Sequence, residues 1–284
     1  MFVIIGIIVV FGSVLGGYVM HHGPLLVLYQ PSEFIIIGGS AIGALLISAP
    51  AKLLSLIVKK VLGTLKGTRI NKQTYLELLK LLYELSMIIR KEGLIALESH
   101  IERPNESVVF SKYLTFLNAY HLLLFITDTL RLVVMGGVAP HEIEMIMDAD
   151  IDLHHEEGLK PSAILQKIGD SLPGLGIVAA VLGIVITMQA ISGPPEIIGQ
   201  KVAAALVGTF LGIFLSYGFV QPLATNIELS TQDESGIFNV AKSGIICAAK
   251  GLNPIVAVEF ARRAISNDYR PTFQEMEEYV KGVK

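Results

Sequence analysis

Four stretches of this chain run for 18 residues or more without a charged side chain: residues 2–20, 34–51, 171–195 and 202–227. Wound as a helix at about 1.5 Å per residue, each is long enough to cross a hydrocarbon layer about 30 Å thick. Lipid offers no water to an unpaired peptide group, so an isolated apolar segment must satisfy its backbone within itself, which selects the helix. The expected fold class is therefore all-α, a polytopic membrane protein with four transmembrane helices. Composition agrees: 52% of residues are hydrophobic and 17% charged, against about 25% charged in a soluble domain. A net charge of -3 leaves no basic excess to hold a nucleic acid backbone.

The first run is read as a retained helix and not a cleaved signal, because no Lys or Arg precedes Lys52 and a signal peptide needs a basic leading region. Two further apolar stretches are set aside. Residues 113–139 contain Asn118, His121, Asp128 and Arg131, and residues 244–258 contain Lys250 and Pro254. A central Asp or Arg costs about 2.5–3.5 kcal/mol on insertion scales, so both are expected as buried helices outside the membrane. Of the 22 Lys and Arg, 14 lie between residues 52 and 167 and 7 follow residue 228, while the short connections 21–33 and 196–200 hold none. Basic residues favour the cytoplasmic side. Both termini are thus expected in the cytoplasm, with two helical hairpins (1–52 and 171–227), a cytoplasmic helical insertion (53–170) and a cytoplasmic tail (228–284).

Within the membrane runs, Gly12/Gly16, Gly39/Gly43 and Gly208/Gly212 are spaced to let helices approach closely, a pattern shared by any tight bundle. No Asp, Glu, Lys, Arg or His lies inside the four runs; Glu33, Lys201, His21 and His22 are placed at their outer edge. A proton-coupled transporter keeps an ionisable relay in the membrane. Either this chain transports nothing, or another protein supplies the carboxylate. The polar groups at depth are Thr187, Thr209, Ser216 and Tyr217. Thr209 and Tyr217, eight residues apart, differ by about 80° round a uniform helix. Either one lines a pathway, or the Thr hydroxyl simply bonds its own helix. Pro173, after Asp170-Ser171, reads as a helix start, and Pro222 as a helix end; a pair of hinges is the alternative.

The insertion is helical by pattern, with apolar residues of the 75–85 segment recurring at i, i+3, i+4 and i+7. Its charge-dense stretch holds Arg90, Lys91, Glu92, Glu98, Glu102, Arg103 and Glu106. Arg90 and Glu98 fall about two turns apart if the helix continues through Gly93; exposed ion pairs there contribute under about 1 kcal/mol each. The cluster Asp148, Asp150, Asp152, His154, His155, Glu156 and Glu157 matches no metal-binding spacing. A lone Cys247 forms neither an internal disulfide nor a zinc knuckle. No Walker loop, GxSxG or HExxH occurs, and no enzymatic activity, cofactor or metal is expected.

Longer motifs then stand in order along the chain. They are Gly16-Gly17-Tyr18, Leu28-Tyr29-Gln30-Pro31, Met147-Asp148, Gly169-Asp170-Ser171-Leu172-Pro173 and Gly176-Ile177-Val178-Ala179-Ala180-Val181. Val207-Gly208-Thr209-Phe210-Leu211-Gly212, Tyr217-Gly218-Phe219, Pro222-Leu223-Ala224, Ala257-Val258-Glu259-Phe260 and Arg270-Pro271 complete the set. On these residues the chain resembles the MotA family, the larger subunit of the bacterial flagellar stator, over essentially its whole length.

The resemblance implies a multi-pass protein of the bacterial inner membrane. It implies a homopentamer around the single helices of a MotB dimer, whose membrane aspartate binds the ion, with torque exerted on the rotor protein FliG. By position it makes Arg90, Glu98 and Asp150 rotor contacts. Ala180, Thr209 and Tyr217 become the lining near the partner's aspartate, and Pro173 and Pro222 the prolines of conformational coupling. Sodium-driven relatives tend to carry Thr where this chain has Ala180, so the expected ion is H+ and not Na+. The competing reading is an energiser of outer-membrane processes of the ExbB/TolQ kind, which usually has three spans. A stand-alone transporter is the third, disfavoured by the missing ionisable group.

Overall fold

Hydropathy places four long apolar helices, and the computed structural model has four helical spans of that length and character, Phe2–Met20, Leu25–Ser48 (a short turn followed by a helix from Pro31), and two that begin at Pro140 and Pro195. The structure describes residues 2–66, 70–189 and 191–282, and no β-strand occurs among them. Two compact units emerge. One comprises residues 1–67 and 158–230, the other 68–157 and 231–284.

The first unit contains α1 (Phe2–Met20), α2 (Pro31–Ser48), α3 (Ala51–Lys66), the later part of α6 (Pro140–Met188), α7 (Pro195–Leu215) and the start of α8 (Gln221–Ala249). Its surface is apolar. Phe2, Ile35, Ile47, Val181, Ile186 and Leu206 are all exposed, and α1 buries no residue at all. Such a surface is costly in water and suits acyl chains. The core is small: Ile37 and Ala41 of α2 pack with Ile168, Leu172 and Ala179 of α6 and Leu211 of α7. The second apolar run does not continue as one helix into the basic segment. α2 stops at Ser48, and Ala49 is extended (φ -139, ψ 139), the conformation that a following proline, here Pro50, imposes. A separate helix, α3, restarts at Ala51.

The second unit is built on α4 (Lys72–Glu92), α5 (Tyr120–Met135), the first part of α6, the later part of α8, α9 (Pro254–Arg263) and α10 (Phe273–Lys281). The period read in residues 75–85 becomes a wide buried face: Leu78, Leu79, Leu81, Leu82 and Leu85 are each at most 2% exposed. They join Phe110, Phe116, Ile126, Leu130, Ile143, Met147 and Val240 in one core. The helix starts are closed by side chains. Asn71 Oδ1 accepts the Thr74 N–H at 3.0 Å while Thr74 Oγ1 accepts the Asn71 N–H at 3.3 Å. Thr272 and Glu275 reciprocate in the same way at α10. Each arrangement satisfies two donors that a helix start otherwise leaves unpaired. Residues 120–135, set aside as a membrane span, form α5 and bury Leu122, Phe125, Ile126 and Leu130 in this core.

Candidate functional site

Three groups of residues were singled out from the sequence: a charged edge, a membrane lining and two prolines. At the charged edge, the last turn of α4 carries Arg90, and the helix ends at Glu92. It does not continue through Gly93, whose φ of 86 belongs to the region that side-chain-bearing residues avoid. A 3₁₀ turn, Leu94–Leu97, follows, and Glu98 opens the next short helix. The two-turn spacing of Arg90 and Glu98 therefore does not hold. What presents Glu98 is anchoring on either side: Leu97 and Ile101 are 0% and 2% exposed, and Glu98 faces outward. Arg90 is exposed too, and neither residue has an ion-pair partner among the described residues.

Asp150 is exposed on α6, away from that helix end. It lines an open groove of about 510 Å³ with His121, Asp128, Arg131, His154 and Phe238. Neither Arg90 nor Glu98 lines that groove. The acidic and His residues around Asp150 are spent separately: Asp148 pairs with Lys242, His155 Nδ1 lies 2.9 Å from Ser235 Oγ, and His154 stacks near Phe238.

In the membrane unit, α6 and α7 touch backbone to backbone. A Cβ added at Gly212 would lie 2.5 Å from the Leu172 carbonyl oxygen, one at Gly176 2.8 Å from the Gly208 carbonyl oxygen, and one at Gly183 2.8 Å from Ala205 Cβ. Gly208/Gly212 is thus a working small-residue pair, whereas Gly12, Gly16, Gly39 and Gly43 have no atom within 4 Å of an added Cβ. This seam brings Ala180 and Thr209 to one level. The Cβ position of Gly208 is 3.2 Å from the Ala180 nitrogen, and that of Gly176 is 3.3 Å from Thr209 Cα. The two Thr residues differ. Thr187 Oγ1 donates to its own helix at the Gly183 carbonyl, 2.8 Å away, while the Thr209 hydroxyl makes no hydrogen bond among the described residues. Tyr217 lies eight residues on, about 12 Å along the axis, and is 61% exposed. It stands in a π-helical turn, Ser216–Val220, so the uniform-helix angle does not apply to it.

The prolines correct a reading from sequence. Pro173 does not start a helix; it lies inside the 49-residue α6. A proline there leaves the carbonyl four residues back without its helical donor. That carbonyl belongs to Gly169, and Ser216 Oγ donates to it at 2.6 Å from a fully buried position. Gln221 Nε2 then donates to Ser216 Oγ at 3.2 Å and to Asp170 Oδ1 at 2.9 Å. Nor does Pro222 end a helix. It is the second residue of α8, directly after the π turn. π turns recur at functional sites, and this one is followed by Gln221 on Asp170 and opens with Ser216 on the carbonyl that Pro173 leaves free.

Glu33 was placed at an outer edge by sequence, and the structure buries it. Glu33 is 5% exposed as a residue, and its buried Oε2 has no hydrogen-bond partner. Helix α2 begins at Pro31 and not at residue 34, which brings Glu33 inside. Ser216 and Gln221 were likewise missed as partners of Gly169 and Asp170. The clue for Ser216 was in the sequence: an interior proline demands a donor for its orphaned carbonyl.

Residues 4–93 match the family described as Motility protein A N-terminal, and residues 120–239 match the MotA/TolQ/ExbB proton channel family. The chain is 40% identical to Motility protein A of Salmonella typhimurium over 284 residues, covering 100% of this chain and 96% of the relative. It is 38% identical to Chemotaxis protein LafT of Vibrio parahaemolyticus, over 97% of each. Among solved structures, the C. jejuni MotAB complex matches with a TM-score of 0.78 at 22% identity, covering 95% of this chain and 98% of the other. The Bacillus subtilis flagellar MotAB stator complex matches with a TM-score of 0.74 at 24% identity, covering 99% and 98%. Matched end to end by a relative at 40% identity, and by family descriptions over most of its length, the chain belongs to the Motility protein A family.

Proposed function

We propose that this chain is the channel-forming subunit of a flagellar stator. With a MotB partner it conducts protons across the bacterial inner membrane and turns that flow into torque on the rotor protein FliG. The observation that carries the reading is the α6/α7 seam. Its two apolar helices are in backbone contact, with Ala180 and Thr209 at one level and the Thr209 hydroxyl unspent. Neither α6 between Asp170 and Met188 nor α7 beyond Lys201 offers an ionisable group, and on this reading the carboxylate that cycles against the face of these two helices is the one on the MotB helix. A proton arriving from outside neutralises that carboxylate, and neutralisation lowers the cost of its facing an apolar wall. The Thr209 hydroxyl is the group that can bond it in either state. Release inward restores the charge and completes one step.

The same reading makes the assembly a homopentamer around a MotB dimer, with four spans per subunit and both termini in the cytoplasm, where the Lys and Arg are concentrated. Arg90 and Glu98, exposed and unpaired, are the groups offered to FliG, with Asp150 on a separate groove. Contacts of this kind are weak enough to release at each step. H+ is the ion: the Ala180 methyl adds no oxygen beside Thr209, and Na+ needs several. Pro173 and Pro222 act in coupling through the Ser216 contact. An ExbB/TolQ-type energiser is the second reading, favoured by the shared channel-family match over residues 120–239. The N-terminal match over residues 4–93 weighs for the stator.

Proton flux into vesicles tests the proposal, first with this chain alone and then with an unplugged MotB partner. Flux is expected only with the partner, and its membrane aspartate changed to Asn should abolish it. Flux from this chain alone, or sodium flux in place of proton flux, would overturn the shared-channel reading or the ion assignment respectively.

A further inference from the structure

Among the described residues Glu33 is the only Asp, Glu, Lys, Arg or His that is buried, and its Oε2 is the only buried side-chain oxygen or nitrogen without a hydrogen-bond partner. Its place in the first turn of α2 invites a bland explanation, since a helix start favours a carboxylate. That explanation leaves Oε2 unused. A capping carboxylate accepts a backbone N–H, and this oxygen accepts none. It is aimed instead at α7: a Cβ on Gly208 would lie 2.6 Å from it, so glycine is what leaves the carboxyl its room. The same Gly208 position is 3.2 Å from Ala179 Cβ and 3.2 Å from the Ala180 nitrogen. The carboxyl therefore stands one residue from Thr209, at the level of the channel lining.

The surroundings offer little to compensate an ionised group. The Ser32 hydroxyl is its one side-chain hydrogen-bonding neighbour. On α7 the nearest charged residue is Lys201, seven positions toward the helix start, about 10 Å along the axis. On α2 and α3 the next are Lys52, Lys59 and Lys60, beyond the far end of α2. Helix α6 has none between Asp170 and Met188, and α1 has none at all. His21, beyond the end of α1, lines an apolar cavity of about 500 Å³ with Val207 and Phe210. A buried carboxyl with no cationic side chain and no N–H donor of this chain beside it is stabilised by taking up a proton.

We infer that Glu33 is a proton-binding site of this chain, loaded from the outer side and emptied toward the partner's membrane carboxylate. The inference rests on the stator reading and deepens it. In the first step an O–H bond forms at the Glu33 carboxylate and one breaks in outer hydronium, leaving water. In the second the Glu33 O–H breaks, and the proton passes by way of water to the partner's carboxylate, which becomes neutral as Glu33 regains its charge. The chain then has an ionisable relay at the edge of its own seam.

The test uses the assembled complex with its MotB partner, in vesicles at a clamped potential, with outer pH varied. Glu33→Gln keeps the shape and removes the titration; Glu33→Asp keeps the titration. Flux through Glu33→Gln is expected to fall by about tenfold at the alkaline end of the range and to recover in acid, while Glu33→Asp tracks the wild type. A carboxyl infrared band that responds to outer pH should be present in the wild type and missing in Glu33→Gln. The inference is overturned if Glu33→Gln follows the wild-type pH profile with the band intact. It is equally overturned if flux falls by one factor at every pH together with the amount of complex, which marks a packing role. A wild-type complex without proton flux would sink the stator reading instead, and the infrared band would still report on Glu33.

Discussion

Replacing Gly212 by Ala attacks the α6/α7 seam at its closest point. The new methyl would sit 2.5 Å from the Leu172 carbonyl oxygen and 2.9 Å and 3.1 Å from the Gly176 Cα and nitrogen. All three are backbone atoms of α6, so no side chain can turn aside. Ordinary contact begins near 3.4 Å, and the helices must part by about 0.9 Å at this crossing. A gap of 0.5–1 Å forfeits about a quarter to a half of each dispersion contact along it. Overpacking of this kind costs about 1–3 kcal/mol. Against that stands a gain of at most about 1 kcal/mol in helix propensity for Gly to Ala. A built-in control exists, because Gly39 and Gly43 have open space where a Cβ would go. Thermal melting in detergent, followed by far-UV circular dichroism, should therefore lower the midpoint for Gly212→Ala and leave Gly39→Ala unchanged or raised. Equal midpoints for Gly212→Ala and the wild type would refute the claim that backbone contact holds this seam.

Three further outcomes are expected. Ser216→Ala removes the donor to Gly169 and should destabilise by about 1–3 kcal/mol, the cost of a buried unpaired acceptor. Made on a Pro173→Ala background, which restores an N–H for that carbonyl, the same change should cost much less, and additive effects in a double-mutant cycle would refute the pairing. Arg90→Glu should cut swimming torque with the membrane level of the protein unchanged, since Arg90 is exposed and unpaired; normal swimming would dismiss the rotor contact. Glu275 has its carboxyl pulled down to about 2 from 4.5, first by the Lys72 ammonium at 2.6 Å and then by the Thr272 backbone N–H. Its depressed value stabilises the docking of α10 above the unfolded value and loses that contribution as pH falls from 4.5 toward 2. Amide exchange of residues 273–281 should thus accelerate over that window, and Lys72→Met should flatten the response.

Much of the architecture was legible because hydropathy and periodicity act over many residues. Four apolar runs give four long helices, and the spacing in residues 75–85 gives the buried face of α4. Helix ends were less legible. A single residue decides each: Pro50 stops α2, a positive φ at Gly93 stops α4, and the start at Pro31 carries Glu33 into the membrane unit. The division of the chain by contact is a further case. Composition changes where an apolar run ends, whereas α6 and α8 continue as single helices past those points. Glycine spacing shows the opposite limit. Three pairs look alike in the sequence, and only Gly208/Gly212 has a neighbour at backbone distance within this chain. Which pair engages depends on how helices distant in sequence face one another, and that information is not local.

The two prolines show why local rules failed at the candidate site. A proline after Asp-Ser fits the start of a helix, and an isolated segment with this sequence would begin there. Helix α6 instead runs through Pro173 from Pro140. The lost helical bond at Gly169 is made good from 47 residues away by Ser216, whose own hydroxyl is held by Gln221, which also holds Asp170. At the opening of the π turn Ser216–Val220, Ser216 is buried and Tyr217 exposed. A backbone acceptor freed by one helix is thus satisfied by an irregular turn of another, 47 residues away. The contact is buried and rests on one hydroxyl, a single bond of modest net strength.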